Sequence, residues 1–359
     1  MSFKFTEFDE KMMRRCLQLA QNGMGHTAPN PMVGCVITHN NKIIGEGYHH
    51  QYGEAHAEVN AIASVKDQSL LEKSTLYVNL EPCAHYGKTP PCSDLIIEKR
   101  IPQIIIGNVD PYAKVAGKGI EKLEKANRKV KYGLLEKEAW YLNRRFFTFH
   151  TKKRPWVILK WAESEDGFID IIRNIKSKGT PAWLTNEQSK HLVHKWRAEE
   201  QSILVGQRTA ILDNPNLNVR EWYGADPLRI LIDPDLSVQS PSSLLDTNQL
   251  TLVFNYEKSD KKENLEYIQV APDESIIAQV MDILHERDIQ SIIVEGGAFV
   301  LNAFIKEGFW DEARRFIGTI YLENGVAAPK IPGKPYYSKM IDETKLHYYF
   351  RDQALNPTI

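Results

Sequence analysis

Apolar residues recur along the first half of the chain with two periods that take turns. From Asp9 to Gln21 the residues Met13, Cys16, Leu17 and Ala20 return every three or four positions, which predicts a helix capped by Asp9. Val33–Thr38 and Lys42–Gly47 read as strands joined by a turn at His39–Asn41. A helix at His56–Val65, a strand at Thr75–Leu80 and a helix at Pro91–Lys99 follow, the last opened by a proline whose missing N–H costs nothing there. Ile104–Gly107 reads as a short buried strand, Ile120–Ala126 as a helix, Lys129–Lys131 as a weak strand and Leu135–Phe147 as a closing helix. Strands separated by helices predict an α/β layered domain.

The polar run His150–Pro155 marks a boundary, and a second alternation begins beyond it. Strands are expected at Trp156–Ala162, Ser202–Gly206, Arg229–Asp233, Leu250–Phe254 and Ser291–Glu295, with helices at Glu187–Arg197 and Glu274–Glu286. Ile172–Pro181 and Tyr256–Asn264 read as exposed loops. Two domains are thus expected, 1–150 and 151–359, with no internal repeat.

Composition narrows the function classes. Lys+Arg 45 against Asp+Glu 46 leaves a formal charge of −1, without the basic excess typical of phosphate-backbone binders. No stretch reaches the ~18 consecutive apolar residues of a membrane span, and the opening residues lack a secretory apolar core. Four cysteines, Cys16, Cys35, Cys83 and Cys92, are too few to staple a chain of 359 residues and read as reduced thiols, with a cytoplasmic location expected.

Two short segments, GEAHAEVNAI and LEPCAHYGKTPPC, hold the first candidate chemistry. His56, Cys83 and Cys92 offer one imidazole and two thiolates, which suits tetrahedral zinc and leaves a fourth position open for water. Cys92 falls in the first turn of a helix, where backbone N–H groups favour its thiolate. Glu58, two residues after His56, is the expected proton shuttle: deamination needs a base for water and an acid for the departing amine. Residues two apart share a pocket only at a helix start, where these two fall. The plain reading of a lone His or Cys is packing, and a structural zinc would take a fourth ligand, for which His85 is available. The order His-x-Glu, Pro-Cys, Pro-Cys matches the zinc-deaminase signature apart from the longer spacing between its cysteines.

That longer spacing is informative. The run EPCAHYGKTPPC, with PNPMVG before it and VAGKG after it, resembles the deaminase half of the bifunctional riboflavin-biosynthesis deaminase–reductase family. The resemblance implies a cytidine-deaminase-like three-layer domain. It also implies that Asn30, His49, His85, Lys88 and Asp110 face the substrate. Where the family has D-P-N-P, this chain reads Asp110-Pro111-Tyr112-Ala113.

In the second half, VEGGAFVLNAF sets Glu295, Gly296 and Gly297 between a strand and a helix, a turn that lets backbone approach a phosphate. Alone it is a weak signal. LKWAESEDG, PAWLT, WRAEEQSILVGQRTAILDNPNLNVR and RILID then resemble, in order, the family's reductase half. The resemblance implies a dihydrofolate-reductase-like α/β domain using NADPH. Ala162, Trp183, Thr209, Asp213, Gly296 and Gly297 would meet the cofactor; Arg197, Leu217, Arg220 and Glu295 would meet the substrate. Lys160 reads equally as a polar contact or a surface lysine. Phe168 and Pro181 depart from the family pattern, and the loop from Phe168 to Ala182 is longer than usual.

The expected activity is zinc-dependent deamination of a phosphoribosylaminopyrimidine followed by NADPH-dependent reduction of its ribosyl group, with a homo-oligomer (dimer or tetramer) implied by the family. A monofunctional deaminase with a degenerate second half, a nucleic-acid deaminase and a binding protein with structural zinc stay open on the sequence.

Overall fold

The computed structural model describes residues 3–86, 90–112, 116–173 and 183–352. Lys88 and Pro181 lie outside them. The chain divides into two compact units, the first ending at Lys152 and the second running from Lys153 to Ala354.

Unit 1 contains, in chain order, α1 (Glu7–Gln21), β1 (Gly34–His39), β2 (Lys42–Tyr48), α2 (Ala57–Ser64), β3 (Thr75–Leu80), α3 (Cys92–Glu98), β4 (Gln103–Asn108), α4 (Lys118–Lys125), β5 (Lys129–Tyr132), α5 (Glu136–Leu142) and α6 (Arg144–Lys152). Its sheet has the order β2-β1-β3-β4-β5, with β3, β4 and β5 parallel and β1 antiparallel to both its neighbours. Asn40 and Asn41, both at positive φ, close the β1–β2 hairpin. Successive strand residues feed opposite faces. Cys35, Ile37, Val78, Ile104 and Ile106 pack with Ala61, Ile62, Ile96 and Leu123 of α2, α3 and α4. Val36, Tyr77 and Ile105 pack with Met12, Met13 and Cys16 of α1. A sheet covered on both faces explains why its strands read as unbroken apolar runs.

Two expectations change. Thr6, not Asp9, caps α1: Thr6 Oγ1 accepts the Asp9 N–H at 3.1 Å while the Asp9 carboxylate accepts the Thr6 N–H at 2.8 Å, a capping box. The single closing helix is two, broken at Asn143. That side chain turns away to Met32, accepting its N–H and donating to its carbonyl, each at 2.8 Å. The second of the two helices also carries on through His150 to Lys152, inside the run read as a boundary.

Unit 2 contains β6 (Trp156–Glu163), β7 (Phe168–Asp170), α7 (Glu187–Glu199), β8 (Ser202–Gly206), α8 (Gln207–Asp213), β9 (Leu228–Ile232), β10 (Thr251–Asn255), β11 (Asp260–Lys262), β12 (Leu265–Gln269), α9 (Ile276–Glu286), β13 (Ser291–Gly296), α10 (Ala298–Glu307), β14 (Glu312–Ile317), β15 (Val326–Ala327), β16 (Tyr337–Ile341) and β17 (Thr344–Phe350). Ten strands form one sheet, β11-β12-β10-β9-β8-β13-β6-β14-β17-β16, parallel from β12 to β14. Val280 and Leu284 of α9 and Leu301 and Phe304 of α10 pack on Leu204, Ile230, Phe254 and Val294. Trp196 of α7 stacks on Phe316 of β14, ring centroids 5.5 Å apart. The segment Tyr256–Asn264, read as loop, includes the short exposed strand β11.

Candidate functional site

One end of the unit 1 sheet gathers the candidate residues, because β1 runs against β3. The start of β1 and the ends of β2, β3 and β4 therefore lie together, as do the starts of α2 and α3. His56 is the N-cap of α2 in extended backbone, and Glu58 sits in that helix's first turn. Cys83 follows β3, and Cys92 opens α3 behind Pro91, itself the cap.

His56, Cys83 and Cys92 bring their ligand atoms within 4.8 Å of one another. His56 Nδ1 lies 3.2 Å from Cys92 Sγ and 3.7 Å from Cys83 Sγ. A tetrahedral zinc with bonds of about 2.0 Å to nitrogen and 2.3 Å to sulfur sets such edges near 3.6 Å. The donor set and its spacing fit zinc. Among the described residues the group has three members; His85 is exposed and stands edge-on to Tyr112, ring centroids 6.3 Å apart. The helix N–H expected to favour the Cys92 thiolate serves the other sulfur: the Cys92 amide donates to Cys83 Sγ at 3.2 Å. With the Cys92 thiol and His56 alongside, it holds the Cys83 thiol well below the usual range.

Glu58 is 3% exposed, and burial pushes its carboxyl up from the ordinary carboxylate range. Above the cluster opens a cavity of about 290 Å³ whose lining includes Asn30, His49, Glu58, His85, Asp110 and Tyr112. His49 Nδ1 lies 3.1 Å from the Ala55 carbonyl, so it carries the proton there, and Nε2 accepts from the Asn30 amide at 3.1 Å. Burial lowers the His49 pKa, which keeps that ring neutral. Burial also pushes Asp110 up to about 7, with Glu81 and Cys83 adding to the effect.

Several positioning residues escaped the sequence reading. Asn79, fully buried, accepts the Gly34 N–H at 2.7 Å and donates to the Met32 carbonyl at 3.0 Å. With Asn143 it fixes the backbone just beyond Asn30. Glu81 binds the connection between β4 and α4. Apolar periodicity does not register such residues, although Glu81 opens the Glu81-Pro82-Cys83 run.

In unit 2 the candidates cluster where the parallel strands β6, β8 and β13 end, the edge at which open α/β sheets bind ligands. Arg197 on α7 grips Glu295 with two bonds, Nε to Oε1 at 3.0 Å and Nη2 to Oε2 at 2.7 Å. Lys160 Nζ stands 3.9 Å from the same carboxylate. Burial would raise the Glu295 pKa, but the Arg197 and Lys160 charges overcome it and hold the group at about 2. Only 16% of the Lys160 side chain is exposed, so the surface-lysine reading fails, and burial pushes its ammonium pKa down. Arg197 Nη1 also donates to the Asn218 carbonyl at 3.2 Å, and the Arg220 side chain reaches Asn218 Oδ1 at 3.3 Å. Leu217, between them and Asp213, is buried.

Gly296 has φ +123°, which disfavours any residue with a Cβ. Gly297 caps α10 and approaches Thr209: a Cβ there would lie 3.2 Å from Thr209 Oγ1. A bare turn ahead of a ten-residue helix leaves its first N–H groups open, a cradle that fits the phosphates of a dinucleotide. Asp213 pairs with Arg173 at 2.6 Å, a partner the sequence reading did not name. Ala162 lies opposite Phe316 in the β6–β14 ladder, and Trp183 is 61% exposed with Lys190 over its ring.

Comparison with known proteins agrees with both halves. The family model for the cytidine and deoxycytidylate deaminase zinc-binding region matches residues 6–108, and that for the RibD C-terminal domain matches residues 155–337. The riboflavin biosynthesis protein RibD of Aquifex aeolicus is 38% identical over 333 residues, covering 91% of this chain and 89% of that protein. Its counterpart from Bacillus amyloliquefaciens is 39% identical over 339 residues, covering 92% and 90%. A solved diaminohydroxyphosphoribosylaminopyrimidine deaminase/5-amino-6-(5-phosphoribosylamino)uracil reductase from Thermotoga maritima superposes with a TM-score of 0.85 at 34% identity, over 95% of this chain and 98% of that one. RibD from Acinetobacter baumannii gives a TM-score of 0.85 at 28% identity, over 97% and 99%.

Proposed function

Because this chain belongs to the RibD family of bifunctional riboflavin-biosynthesis proteins, we propose that its two units perform consecutive steps on one small molecule. Unit 1 hydrolyses the 2-amino group of 2,5-diamino-6-(5-phosphoribosylamino)pyrimidin-4-one, releasing ammonia. Unit 2 reduces the ribosyl group of the product to ribityl. One observation carries the reading: three metal-ligand side chains converge beneath a cavity in which Glu58 lies buried.

His56, Cys83 and Cys92 would hold a zinc ion, which would supply Lewis-acid activation of water near neutral pH. Glu58 takes a proton from the attacking water and gives it to the ring nitrogen; it then takes the remaining proton from the hydroxyl added at the ring carbon and hands it to the amine, which leaves as ammonia as the carbonyl forms. Its burial, which raises its pKa, suits a group that must act as base and then as acid. Asn30 and the neutral His49 orient the ring's polar edge, Asp110 adds a carboxyl at the wall, and His85 and Lys88 take the phosphate side.

In unit 2 NADPH, when bound, would supply the hydride. The Gly296–Gly297 turn and Thr209 receive the cofactor's phosphates, with Ala162, Trp183 and Asp213 along its length. Arg197 and Arg220 bind the sugar phosphate, for which guanidinium is the apt partner. Leu217 walls the substrate, and Glu295 holds Arg197 in place while offering an oxygen to the ribose hydroxyls.

The test is direct. Purified protein is given the diaminopyrimidine, and ammonia and bound zinc are measured; NADPH consumption is then followed on the deaminated product. About one zinc per chain, ammonia release and NADPH oxidation are expected. Ammonia without NADPH oxidation would reduce the protein to a monofunctional deaminase, and release of neither product would overturn the reading.

A further inference from the structure

Glu81 stands two residues before Cys83 and takes no part in the chemistry above. Its side chain is buried, 4% exposed, in the wall of the unit 1 cavity. Its Oε2 accepts the N–H groups of Asp110 at 3.2 Å and Gly117 at 2.9 Å. Its Oε1 accepts those of Gly119 at 2.8 Å and Ile120 at 3.2 Å. One carboxylate thus satisfies four backbone donors from a distant part of the chain.

The four donors are not a random set. Gly119 and Ile120 lie in the first turn of α4, whose N-cap Gly117 has no side chain to serve them. A carboxylate at that position also meets the positive end of the helix dipole. Asp110 lies just past the end of β4. Both ends of the connection between β4 and α4 are therefore tied to a single group, and the backbone of that group runs on through Pro82 into Cys83. Packing leaves no slack: a Cβ on Gly119 would fall 2.0 Å from the Pro82 carbonyl oxygen. The tied connection carries Asp110 and Tyr112 to the cavity wall, and Asp110 Oδ1 in turn accepts the Tyr112 N–H at 2.7 Å.

We propose that Glu81 is a positioning residue of the deaminase site, fixing the two ends of the β4–α4 connection, and with the first of them Asp110 and Tyr112, against the His56–Cys83–Cys92 cluster. This rests on the deaminase reading of the cavity. Glu81→Gln keeps the size of the side chain but turns an NH₂ toward two N–H donors. In the full-length enzyme its KM for the diaminopyrimidine should rise about tenfold or more, with kcat changed less. Zinc content and NADPH-dependent reduction should stay at wild-type levels. Amide hydrogen exchange at Gly117, Gly119 and Ile120 should quicken at least about tenfold. Gly119→Ala, which pushes α4 off Pro82, attacks the same clamp from the helix side and should raise KM in the same way.

A wild-type KM in Glu81→Gln, or a fall in activity that merely follows loss of zinc, would overturn the proposal. If Glu81→Gln does not fold, exchange in the wild-type protein decides: free exchange at those amides overturns it, and protection matching that of β4 supports it. Failure of the wild-type enzyme to release ammonia would instead defeat the deaminase reading, so the two failures are distinguishable.

Discussion

Replacing Glu295 by Gln removes a carboxylate that faces both Arg197 and Lys160. In the native protein the neighbouring cations hold Glu295 at about 2, against an ordinary value of 4.5. At about 1.4 kcal/mol for each tenfold, that difference contributes about 3 kcal/mol to folding at neutral pH. The sign follows from a depressed folded pKa: the stabilisation is complete above about 4.5 and is lost as pH falls through about 2. Linkage leaves roughly half of that stabilisation at pH 3. A domain of this size loses roughly 2–4 °C in Tm per kcal/mol, so Glu295→Gln should melt about 6–12 °C lower at pH 7. Six of the seven tryptophans lie between Lys153 and Ala354, so urea unfolding followed by tryptophan fluorescence reports mainly on unit 2. The gap between wild type and variant should narrow by about half on going from pH 7 to pH 3. A gap absent at pH 7, or equally wide at pH 3, would refute the electrostatic account of this cluster.

Two further changes probe unit 1. Asn143→Ala leaves the Met32 N–H without its buried acceptor, while the Met32 carbonyl keeps the Asn79 amide, and should cost about 1–3 kcal/mol in urea unfolding; a loss under 0.5 kcal/mol would show that the Asn143 contact does not hold that segment. His56→Ala should strip the protein of zinc on dialysis and end ammonia release, while NADPH-dependent reduction of the deaminated product continues. Retention of stoichiometric zinc by that variant would place the metal elsewhere.

Much of the fold was legible because its central strands are apolar on both faces. Val78, Ile105, Leu204 and Ile293 sit in fully buried apolar runs of strand length, bounded by polar residues. The metal cluster was legible because zinc chemistry restricts residue type and order. Other features hid behind polarity. Strand β14 reads EARRFI, yet Glu312 and Arg314 are buried and paired at 2.7 Å, with Arg314 also lying over the Trp196 ring. A hydrophobic pattern cannot register an ion pair that cancels its own charge. The break between α5 and α6 was hidden likewise, since Asn143 leaves the helix for partners 111 residues away. Glu81 is the same lesson at the active site: its donors lie 29–39 residues along the chain, and only folding shows that they share one carboxylate.

The central claim is that the three ligands and Glu58 divide the deamination between them, the first three holding the metal and the last moving protons. Glu58→Gln preserves shape and leaves every ligand in place, so ammonia release by the zinc-loaded variant tests that division most directly. The account predicts about one zinc per chain with release slowed at least 10²–10⁴-fold, the usual contribution of a general acid–base group. Release at near the wild-type rate from a fully metallated Glu58→Gln protein would contradict it.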